Sequence, residues 1–135
     1  MELRHNVHSS ARTVRQQEFN YGHVYVRFNI TQQEVTIDGR TYNEYVYDEY
    51  FMTEYEYQQI QQGHVPMGLP WTEPLRSIER ECLYETADKM LMKYTSYAPD
   101  PDKVQALNSY KAQIHASTEQ TEYPQKVTYP TFPIL

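Results

Sequence analysis

The sequence predicts an α+β fold: an N-terminal antiparallel β-sheet of three to four strands, then an antiparallel helix pair, then a proline-rich extended C-terminal segment. Three observations predict it. Val24, Val26, Phe28 and Ile30 alternate with the residues between them from His23 to Ile30, the period of a strand, and a turn at Asp38-Gly39 leads into a second extended run. Between Leu75 and Ile114 apolar residues recur at helical spacing instead. After Tyr123 come Pro124, Pro130 and Pro133, which exclude helix. The expected division is a β-rich half with a short helix over 1–62, and a helical hairpin with a docked tail over 63–135.

Residues Leu3 to Glu18 are polar, with Val7 and Val14 the large apolar residues after Leu3. They are read as an extended arm or an edge hairpin around Ser9-Ser10. The first clear strand is His23 to Ile30, with Val24, Val26, Phe28 and Ile30 on one face and Tyr25, Arg27 and Asn29 on the other. Glu34 to Ile37 leads into Asp38-Gly39, a favoured two-residue hairpin turn because both positions want positive φ. The returning strand runs from about Arg40 to Met52. It puts Tyr45, Tyr47 and Phe51 on one face and Tyr42, Val46, Tyr50 and Met52 on the other. Rings on both faces imply that both are covered, one by the helices and one by something else.

Thr53 caps a short helix with Glu54 and Glu56 in its first turn, where the helix dipole favours acids, and Gly63 closes it. His64 to Trp71 is a loop. Thr72-Glu73-Pro74 opens the second helix with a cap and a first-turn proline. Its apolar stripe is Leu75, Ile78, Cys82, Leu83, Ala87, Met90, Leu91 and Tyr94. Arg76, Glu79, Arg80, Glu85, Asp88 and Lys89 form its wet face, and it stops near Tyr94 to Tyr97. Asp100-Pro101 repeats the opening. Val104, Leu107, Tyr110 and Ile114 mark a third helix ending near Ala116, and the short connection makes the pair antiparallel. The tail, with Val127, Tyr129, Phe132, Ile134 and Leu135, is too apolar for a free end and is expected to dock as an extended segment.

The chemistry of an enzyme is missing. His5 and His8 lack a third metal ligand nearby, and the other histidines, His23, His64 and His115, are scattered. Asp48 and Glu49 are adjacent on a strand, so they face opposite ways and cannot act as an acid/base pair. The single cysteine, Cys82, sits on the apolar stripe as a buried thiol with no base in reach. The four glycines make no phosphate loop. We therefore expect no catalysis, no metal and no cofactor. A net charge of -6 without a basic patch argues against nucleic acid and against an anionic membrane surface. The start of the chain lacks an apolar signal core, and no apolar run approaches the ~20 residues of a membrane span. The expected location is a cytoplasm, unless the chain leaves within a larger particle. The 14 tyrosines, against 4 phenylalanines and 1 tryptophan, suit strands and also half-wet protein interfaces.

The back half, roughly Leu75 to Pro133, resembles tail-fibre assembly chaperones and related small tail-assembly proteins of tailed bacteriophages and prophages. That family has a helix ending in Leu-Leu and Thr-Asp-Trp, a Pro/Asp loop, a helix with an aromatic and Tyr-Arg, and an ending of the form Pro-x-x-Val-x-Trp-Pro-x-x-Pro. Here Leu91-Met92, Thr95-Ser96-Tyr97, Pro99-Asp100-Pro101-Asp102, Leu107 with Tyr110-Lys111, and Tyr123 through Pro133 stand at those places. Two tyrosines replace the tryptophans, Ser96 replaces Asp and Lys111 replaces Arg. The front half, with Arg27-Phe28-Asn29-Ile30 and Tyr45-Val46-Tyr47-Asp48-Glu49, resembles the N-terminal part of small proteins from gut phages. The resemblance implies a non-enzymatic chaperone that binds a tail-fibre or other tail protein in the bacterial cytoplasm during assembly. The candidate partner-binding residues are Tyr97, Tyr110, Val127, Tyr129, Pro130, Phe132 and Pro133. The alternative is a permanent component of the virion tail or neck, whose front sheet packs into a homo-oligomer.

Overall fold

A computed structural model describes residues 1–10 and 14–133, apart from the side chain of Met67. The chain divides into two compact units, Met1–Gln59 and Ile60–Leu135.

The first unit is an antiparallel sheet of four strands: β1 (Glu2–Ser9), β2 (Gln17–Asn20), β3 (His23–Ile37) and β4 (Arg40–Thr53). Their order is β1-β4-β3-β2. The long β3–β4 hairpin turns at Asp38 (φ 52) and Gly39 (φ 77), with Ile37 opposite Arg40. That is the two-residue turn expected there, and the strands around Val24–Ile30 and Tyr42–Met52 pair antiparallel as expected, with Val24 opposite Met52 and Phe28 opposite Asp48. A second such turn, Tyr21-Gly22, joins β2 to β3.

The N-terminal stretch is not a hairpin around Ser9-Ser10. β1 lies on the β4 edge and β2 on the opposite edge. Polar pairs hold β1 in place, with His8 Nδ1 2.8 Å from a Glu44 oxygen and Arg4 bonded to Glu49. Few apolar residues are needed there, which is why the stretch reads as an arm.

β3 is one continuous strand of 15 residues rather than two pieces. It carries a bulge between Phe28 and Thr31, where Asn29 has φ 51. β1 carries a matching bulge between Arg4 and Val7, where Asn6 has φ 53. Both bulges flank Asp48 of β4. One carboxylate oxygen accepts from the Asn6 backbone N–H at 3.1 Å and the other from the Asn29 side-chain amide at 3.0 Å. These bonds hold the Asp48 carboxyl below its usual range. The β3 bulge also corrects the expected face of Ile30. Beyond it the register places Ile30 with Gln32, on the side of Tyr45 and Tyr47, instead of with Val24 and Val26.

One sheet face carries Val24, Val26, Tyr50 and Met52, all buried. The other is covered by its own side chains. Glu49, buried, accepts from Arg27 at 3.1 Å and Arg4 at 3.3 Å, and Arg27 also bonds Glu18 at 2.7 Å. Arg27 lies over the rings of Tyr25 and Tyr47, and Arg4 over Phe51. Thr53 and Glu56 form a reciprocal capping box at the start of α1 (Glu54–Gln61).

The second unit holds α2 (Glu73–Met92), a π-turn over Lys93–Tyr97, α3 (Pro101–Ala116) and the tail. Thr72 opens α2 through its carbonyl, which accepts from Arg76 N–H at 2.9 Å; it makes no side-chain capping bond. Asp100 does cap α3, accepting from Lys103 N–H. Asp88 pairs with Lys111 and Tyr94 lies under Lys103, so the two helices run antiparallel. Ala87, Tyr94, Leu107, Tyr110 and Ile114 form their shared core. Cys82 is only half-buried, and the wet face of α2 is not wholly wet: Arg76 and Glu79 are 6% and 7% exposed. Ile134 and Leu135, expected to continue the docked tail, lie outside the described residues.

Candidate protein-binding surface

The tail folds back along α2 and α3. Tyr129 and Phe132 pack on the helix core, and the Phe132 ring meets Tyr110 edge-on with centroids 5.1 Å apart. Burying two rings contributes on the order of 1.5–3 kcal/mol each, against an ordering cost of about 1–2 kcal/mol per residue. Apolar contact alone therefore does not fix so long a segment.

A polar clamp on α2 supplies the rest. The guanidinium of Arg76 donates to the carbonyls of Pro124 at 2.8 Å and Gln125 at 3.1 Å, and to Glu79 at 3.0 Å. Its cationic carbon stands 3.8 Å from the centroid of the Trp71 ring. Glu79 in turn accepts from the Tyr129 hydroxyl at 2.6 Å. One α2 turn away, the Tyr123 hydroxyl lies between Arg80 and Glu73, which bond each other at 2.6 Å. Gln120 closes the loop, giving its amide N–H to the Thr128 carbonyl and taking the Thr128 N–H. Gly63 belongs to the same arrangement. A side chain there would stand 3.1 Å from Glu79 Oε2, and its φ of 91 is one that glycine tolerates.

Burial and the hydrogen bond to Glu73 push the Tyr123 phenol up to about 12, and burial with Glu79 pushes Tyr129 up as well. Both folded values lie above the unfolded value of 10.0. The stabilisation is thus complete below pH 10.0 and is lost as pH rises toward about 12 and beyond. In an alkaline titration the emission of Trp71, the single tryptophan, should change together with late-ionising tyrosines. Ionisation of every tyrosine near pH 10.0, with Trp71 unmoved, would count against the clamp.

The candidate residues fall into three settings. Tyr110 is buried and supports Phe132 from below, so it cannot face a partner directly. Val127, Tyr129, Pro130, Phe132 and Pro133 are half-buried along the tail. Tyr97 is 80% exposed at the corner between α2 and α3, near exposed Met92. That corner is about two and a half helical turns along α3 from Tyr110. The π-turn makes it: Ala98 N–H reaches back to the Lys93 carbonyl at 2.8 Å, turning Tyr94 inward and Tyr97 outward. Beside it runs an open groove of about 480 Å³, lined by Tyr94, Pro99, Pro101 and Val104 with Thr95, Asp100, Gln105 and Asn108.

Sequence reasoning missed Trp71, Glu73, Arg76, Glu79, Arg80, Gln120 and Tyr123. The α2 members sit at spacings of three, four and seven, which is also the pattern of an ordinary solvated helix face. Among the described residues no group of three His, Cys, Asp or Glu side chains could hold a metal ion, and no helix is long and apolar enough to cross a membrane. A Tyr-, Pro- and Met-bearing surface on a rigid support suits recognition of another protein. No family model, curated protein or solved structure matches the chain.

Proposed function

We propose that the chain is a non-enzymatic assembly protein of a tailed bacteriophage, which binds a tail-fibre or other tail protein while the tail is built. The observation that carries this reading is the clamped tail. A proline-rich ending fixed by Arg76, Glu79 and Arg80 is pre-ordered, so a partner meets a formed edge of Val127, Tyr129, Pro130 and Phe132. Pre-ordering lowers the entropy lost on binding. The exposed corner with Tyr97 and Met92 offers a second contact.

The second reading, a permanent component of the tail or neck, is favoured by the exposed far end of the β3–β4 hairpin, which carries Ile37 and Tyr42. Co-expression with tail-fibre proteins of tailed bacteriophages tests the proposal. The copy number in purified particles separates the two readings: an assembly factor is absent or below stoichiometry, a component is fixed in number.

A further inference from the structure

The far end of the β3–β4 hairpin has a feature that the tail surface does not explain. β2 pairs only with His23–Val26 of β3, and β1 ends its pairing with β4 at Tyr45. From Gln33 to Glu44 the described residues therefore form a two-stranded ribbon. An isolated two-stranded hairpin is marginal in water. This one bears apolar residues on one side: Val35 lies opposite Tyr42, and Ile37 opposite Arg40. Ile37 is 58% exposed and Tyr42 is 49% exposed.

The charges on that side are ordered. Arg40 and Glu44 sit two residues before and two residues after Tyr42 on the same face of β4. Glu44 accepts from Gln33 and is bonded to His8, while Arg40 has no carboxylate partner among the described residues. A cation and an anion at equal distances from a central ring make a pattern that complements itself under a two-fold axis. Stacking two such faces antiparallel about Tyr42 sets Arg40 of each copy opposite Glu44 of the other, with Val35, Ile37 and Tyr42 between. Stacked sheets lie about 10 Å apart, a gap these long side chains can bridge.

We propose that this ribbon face is a self-association surface whose occupant is the same face of a second copy, giving an isologous dimer. Charge complementarity argues for a second copy, because Arg40 and Glu44 stand symmetrically about Tyr42 and the face therefore matches itself. The inference does not depend on the proposed function, because the ribbon shares no residue with the tail surface.

Sedimentation of the full chain over a range of concentrations tests it. The expected result is a monomer–dimer equilibrium that Arg40→Glu weakens about tenfold or more, since two attractive pairs become repulsive. Glu44→Arg weakens it similarly and the double variant R40E/E44R restores it, with the strand content of both checked because Glu44 also bonds His8 of β1. Arg40 makes no ion pair among the described residues, so Arg40→Glu is expected to leave the fold intact, checked by circular dichroism. A monomer at every concentration would overturn the proposal. So would a dimer indifferent to Arg40→Glu, or one that the double variant fails to restore.

Discussion

Arg76→Ala is expected to cost about 3–5 kcal/mol of the stability of the helical unit, because it leaves a buried carboxylate without its cation. Glu79 is 7% exposed and would keep only the Tyr129 hydroxyl among its bonds described above. The Pro124 and Gln125 carbonyls would lose their donors, and Trp71 its stacked cation. Arg76→Lys should recover little, since one ammonium cannot serve two carbonyls and a carboxylate in a fixed fork. Replacing the network together by apolar residues of similar volume, as in R76M/E79L/Y129F, should recover most of the loss. Urea unfolding followed by Trp71 fluorescence measures all three. A loss below about 1 kcal/mol for Arg76→Ala would place the pair among surface ion pairs and remove the clamp.

Deleting Tyr123 to Leu135 is expected to abolish binding of the proposed tail-protein partner, a fall of at least about thirtyfold in affinity, the scale of losing a hot-spot cluster. The deletion removes Tyr129, Pro130 and Phe132 and uncovers Arg76 and Glu79. Its effect on folding is therefore controlled by Phe132→Ala, which loosens the segment at one contact with Tyr110 while keeping the polar clamp. Pull-down with both variants, after checking their helix content, gives the answer. Undiminished binding by a folded, truncated chain would take the tail out of the recognition surface.

The elements were legible in the sequence wherever one periodicity governed them. Val24 and Val26, the Asp38-Gly39 turn, and the stripe of Leu107, Tyr110 and Ile114 follow local rules, and the fold agrees with them. What escaped depended on partners distant in sequence. Asn6 and Asn29 are ordinary strand residues until Asp48, 42 and 19 positions away, binds both bulges. Arg76 and Glu79 have the spacing of a solvated face, and their hydrogen-bond partners in the tail lie 48 to 50 residues later. The Tyr21-Gly22 turn was hidden because tyrosine is uncommon at positive φ. For the candidate surface, the tail could be named from its apolar and proline content. Its anchoring side could not, since charged residues announce burial only through their partners.

The proposed function is tested by co-expressing the full chain with tail-fibre proteins of tailed bacteriophages, followed by affinity purification through a tag on the fibre. The account predicts that the chain copurifies in a fixed ratio and that soluble, assembled fibre increases in its presence. A fibre that assembles equally well without the chain, and from which the chain washes away at physiological salt, would contradict it.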